Sequence, residues 1–102
     1  MIVDPCLVEI KKQLDVADDY LYRIEVGEVE EPEESVLYIG KLLSKVSNDI
    51  TVLTPTCITD LYIRRGLYHA ISRLVMLMAR KEQLSKSLHQ YKKEPTYVVN
   101  HH

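Results

Sequence analysis

Apolar side chains in the first quarter of the chain fall at Leu7, Ile10, Leu14, Ala17, Leu21 and Ile24. The spacing alternates three and four without a miss, which places all six on one stripe of an α-helix. Asp4-Pro5 precedes the stripe. Asp accepts hydrogen bonds from the unpaired N–H groups of a first turn, and Pro suits the first helical position, where no N–H bond is lost. A helix over 4–24 follows. Asp15, Asp18 and Asp19 lower its propensity, so Asp15 marks its weakest point. A second stripe, Val36, Ile39, Leu43, Val46 and Ile50, widened by Leu42, predicts a helix over 33–50. The intervening "EVGEVEEPEES" reads as an exposed acidic loop. Gly27 fits the C-terminal cap of the first helix, and Pro32, Glu33 and Glu34 fit the start of the second. Gly40, inside that second helix, costs about 1 kcal/mol against Ala, and a close helix crossing would account for it.

Thr54-Pro55 repeats the Asp4-Pro5 pattern and predicts a third helix over 55–91, capped by Thr54 and ending before Pro95. On a helical wheel centred at Ile71, the residues Leu67, Tyr68, Leu74, Val75, Met78 and Ala79 lie within about 80°, a stripe wide enough to pack on two helices. Tyr62, Arg65, His69, Ser72, Arg73 and Arg80 line the other side as a basic ridge. Lys86, Lys92 and Lys93 continue its charge. Asp60 and Arg64, four apart, are placed to pair. Met76 and Leu77 fall on the flanks of this stripe, outside the core it defines. They are therefore expected to be covered by another copy or another protein.

The chain has 102 residues, no Phe or Trp, and three Gly. One domain with a core of Leu, Ile, Val and Tyr is expected. The reading is an all-α bundle of three main helices, residues 1–92, with an acidic loop and a short, extended, flexible tail over 93–102, in which "TYVV" has strand propensity. The longest apolar run, "LVMLMA", is far short of the roughly 18 residues a membrane span needs. No basic-then-apolar start points to secretion, so a cytoplasmic or virion-associated chain is expected. Cys6 and Cys57 read as two buried thiols of a reducing compartment. Charge is divided unevenly. Residues 1–37 hold eleven acids and three bases, residues 38–102 four acids and ten bases. This asymmetry suits head-to-tail association, with Glu28, Glu30 and Glu31 of the acidic loop facing the ridge of a neighbour.

The motifs of catalysis and cofactor binding are missing: no glycine-rich phosphate loop, no CxxC, no HExxH, no Gly-x-Ser-x-Gly. His69 and His89 have no acid at ligand spacing. No cofactor, metal or small-molecule substrate is expected. "PEESVLYIGKLL" with "TDLYIRRGLYHAISRLVMLMARKEQLS" resembles the apolar frame of the MazG-like nucleotide pyrophosphohydrolases. That family requires a Glu-x-x-Glu pair where this chain has Lys45, Val46, Ser47, Asn48 and Asp49, so the activity is not expected. The stretch 53–84 is also similar in flavour to a winged-helix regulator, but "YIRRGLYH" lacks the sharp turn and the cap that a helix-turn-helix needs. In outline the chain is similar to the small adaptor subunits of tailed-phage head–tail connectors, a resemblance that implies ring-like oligomers and carries no motif. The expectation is a non-enzymatic assembly or interaction protein, viral in type, that oligomerises or docks through its third helix at Met76 and Leu77. The alternative is a nucleic-acid-binding regulator using Arg65, His69, Arg73, Arg80 and Lys86 to grip phosphates.

Overall fold

A computed structural model describes residues 4–55 and 60–100, with side chains through His89. Three helices form an all-α bundle: α1 (Pro5–Glu25), α2 (Pro32–Leu53) and α3 (Leu61–Asn100). No strand occurs among the described residues. Asp4 caps α1 as expected, its carboxylate accepting from the Cys6 and Leu7 N–H groups at 2.8 and 3.2 Å. The helix runs unbroken through Asp15, Asp18 and Asp19. It closes in a Schellman turn. Gly27, at φ 79°, takes the left-handed position, Glu28 N–H donates to the Arg23 carbonyl at 2.9 Å, and Gly27 N–H donates to that of Ile24 at 3.1 Å.

The second boundary differs from the expected one. Helix α2 continues to Leu53, and the Thr54 hydroxyl donates back to the Ile50 carbonyl at 2.7 Å, so Thr54 finishes α2 instead of starting α3. The cap of α3 is Asp60, which accepts from the Tyr62 and Ile63 N–H groups at 2.9 and 3.2 Å. A carboxylate is a stronger partner for those donors than a hydroxyl, and it favours the positive end of the helix dipole. At the other end the helical backbone of α3 passes the expected stop near Tyr91 and continues through Pro95 to Asn100. The side chains of the expected tail, 93–102, lie outside the described residues, as does Cys57.

Helices α1 and α2 are antiparallel, with Tyr20 and Tyr38 in edge contact at 5.2 Å between ring centroids. Helix α3 runs parallel to α1: Leu7 lies against Gly66, Asp15 against Arg73, and Glu25 against Arg80. The core takes the stripes predicted for α1 and α2 except Leu7 and Leu42, which pack half-buried against it, adds Leu53, and closes on α3 with Ile63, Leu67, Ala70, Leu74 and Leu77. Leu84 and Leu88 pack on its edge. Each fully buried Leu or Ile contributes roughly 1.5–3 kcal/mol.

This placement corrects the wheel. Ile71 is not the centre of the buried face but lies at its margin, 40% exposed. Leu77 is 4% exposed and belongs to the core, so it does not flank it. The buried stripe extends from Ile63 to Leu88 at steps of three and four, interrupted once at Lys81. The stripe through Ile71 is cut short by Arg64 and Glu82. The longer stripe offers more apolar area to two neighbouring helices, and the bundle closes on it.

Candidate functional site

Helix α3 has four kinds of surface. One faces the core. The next, towards α1, carries Arg73 and Arg80. Arg73 donates to Asp15 at 2.6 Å, and Arg80 donates to Asp18 at 2.6 Å and to Glu25 at 2.7 Å. The hydrogen bonds to Glu25 and then Asp18 hold the Arg80 guanidinium well above its ordinary pKa. Of the expected ridge, Arg65, His69 and Ser72 remain exposed on the outer side with Tyr62 and Met76, and Lys86 is exposed further along. The ridge is therefore divided. Two of its arginines are tied to acids of the same chain, and part of the charge asymmetry is closed within the molecule. Glu28, Glu30 and Glu31 lie exposed in the loop between α1 and α2.

The fourth surface holds residues that the helical wheel assigns to the core. Tyr68, Ile71, Val75 and Met78 are 65, 40, 60 and 49% exposed. Their spacing of three, four and three puts them on one stripe, offset by one residue, about 100°, from the buried one. Asp60 and Arg64 extend it at the N-terminal end, Glu82 and Lys86 at the other. The sequence carries this periodicity one residue out of step with the buried stripe, so the two merge on a wheel into one wide face. Met76, 67% exposed, stands apart from this stripe on the other side of the helix.

Three further features lie outside these surfaces. A cleft of about 310 Å³ opens between the start of α2 and the far part of α3, lined by Glu33, Val36, Leu37, Ser85, Leu88 and His89. It pairs one carboxylate with one imidazole on an otherwise mainly aliphatic wall. Gln13 is buried in α1, its Nε2 donating to Glu9 at 3.2 Å while its Oε1 has no partner among the described residues. Cys6 carries a half-buried free thiol, raised in pKa by burial and then by the negative charges of Asp49 and Asp4, which makes it a weak nucleophile. Among the described residues, no group of three or more His, Cys, Asp or Glu side chains could hold a metal ion, and no helix is long and apolar enough to cross a membrane. No protein-family model, curated protein or solved structure matches this chain.

Proposed function

We propose that this chain is a non-enzymatic assembly protein that docks on other protein through the exposed apolar stripe of α3. The observation that carries the reading is the row Tyr68, Ile71, Val75 and Met78, four large side chains left in water on one helix face although the core beneath is complete. Isolated exposed apolar residues are ordinary, whereas four at helical spacing on one face are the pattern an interaction surface takes. The docking residues differ from those expected from sequence: Leu77 is withdrawn into the core, and Met76 faces elsewhere. Nucleic-acid binding has less to support it, because Arg73 and Arg80 are already engaged by Asp15, Asp18 and Glu25, leaving Arg65, His69 and Lys86.

The test is the native mass of the chain isolated from the cells that make it, beside a Tyr68→Ser/Val75→Ser variant. A particle heavier than one chain is expected for the wild type. It should fall to a single chain in the variant while helicity stays unchanged. Both forms isolating as one chain would remove the proposal.

A further inference from the structure

We infer that the occupant of the α3 stripe is a second copy of the chain, lying antiparallel along it about a twofold axis level with Arg73; this rests on the reading of the stripe as a docking face. The stripe is self-complementary in reverse. Read towards a common centre, Tyr68 meets Met78 of the other copy, and Ile71 meets Val75. Beyond this apolar centre the charges also match, Arg64 with Glu82 and Asp60 with Lys86. An isologous contact makes each of these pairs twice. A parallel arrangement would set Arg64 against Arg64 and Glu82 against Glu82, which like-charge repulsion disfavours. Arg64 contributes through its charge, and the pairing does not require its guanidinium to be unengaged in its own chain. Asp60 keeps its cap bonds to Tyr62 and Ile63, since a carboxylate has acceptor sites to spare.

The chemistry at the centre fits as well. A Met thioether against a Tyr ring is a favourable soft contact. Ser72 and Ala79, which flank the stripe, are small and allow the two helices to approach. The four exposed side chains offer roughly 400 Å² of apolar surface per copy, and the charged ends bring the contact towards the roughly 800 Å² per partner typical of specific interfaces. That area suits a reversible dimer.

The purified chain is measured by sedimentation from micromolar to submillimolar concentration, with circular dichroism on each variant. The wild type is expected to pass from one chain to two. Val75→Glu puts a carboxylate opposite Ile71 of the partner and should weaken the dimer roughly 100-fold or more. Val75→Gln, a gentler change, should weaken it in the same direction, and Met76→Glu should leave it intact. Glu82→Lys should weaken it roughly tenfold, and adding Arg64→Glu in the same chain should restore it. A dimer indifferent to Glu82→Lys overturns the antiparallel register. A wild type that stays a single chain throughout overturns the second copy, while the docking face itself falls only if the natively isolated chain is also single.

Discussion

At the scale of single residues, the two helical glycines have opposite meanings. A close crossing would explain Gly40, as would neutral drift, and a Cβ built there meets only Lys81, its Nζ at 3.9 Å and its Cδ at 4.0 Å, ordinary contact distances at the end of a flexible side chain. The close crossing is at Gly66, where a Cβ would overlap Leu7 of α1, with the Leu7 Cδ1 and Cγ both at 3.2 Å. Gly40→Ala should therefore stabilise the fold by about 0.5–1 kcal/mol through helix propensity. Gly66→Ala gains the same propensity but forces Leu7 to move, at a cost of about 1–3 kcal/mol, so a net loss is expected. Thermal melts would resolve the two, since about 1 kcal/mol shifts the midpoint of a domain of this size by roughly 4–8 °C. Sequence alone could not tell these glycines apart. Both sit inside helical patterns, and only the neighbouring helix decides which of them needs to be small.

At the scale of elements, α1 and α2 were legible because each has one stripe and local cap signals. Asp4, Gly27 and Pro32 act within a few residues of their own positions. Helix α3 was harder because it has two apolar stripes one residue apart, and a wheel centred between them spans both. Its cap was missed for a related reason: Thr54-Pro55 is a good start signal, but Ile50 and Leu53 keep α2 packed on the core to that point, and Asp60 lies next in line. Neighbouring residues on α3 therefore test the register. Leu77→Ala should cost about 2–5 kcal/mol, as a core truncation does. Met76→Ala, one residue away, should change stability by less than about 0.5 kcal/mol. Denaturant titration measures both. Comparable losses at the two positions would mean that α3 is rotated from the face described here.

At the scale of the whole molecule, the uneven division of charge is reconciled by the parallel packing of α1 and α3. That direction brings Asp15 level with Arg73, and Asp18 and Glu25 level with Arg80, so acids of the first part meet bases of the last inside one bundle. The sequence contained the asymmetry but not the direction of α3, and charge alone suits an intermolecular match as well as an intramolecular one. Two consequences separate them. Arg80→Ala removes the shared partner of Asp18 and Glu25, and at low salt should cost about 1 kcal/mol, a cost that shrinks at about 1 M salt, where the screening length is roughly 3 Å. The same acids also restrain what the arginines can bind. Replacing them together, Asp15→Asn/Asp18→Asn/Glu25→Gln, leaves Arg73 and Arg80 on the same side of α3 with the exposed bases beyond them uncompensated. The wild type should show little affinity for duplex or single-stranded DNA. The triple variant should acquire a weak, sequence-independent affinity that falls steeply with salt, because each neutralised phosphate releases counterions. Tight, salt-sensitive binding by the wild type, abolished by Arg73→Ala/Arg80→Ala, would show instead that phosphates displace these carboxylates, and nucleic acid would then replace protein as the partner of α3.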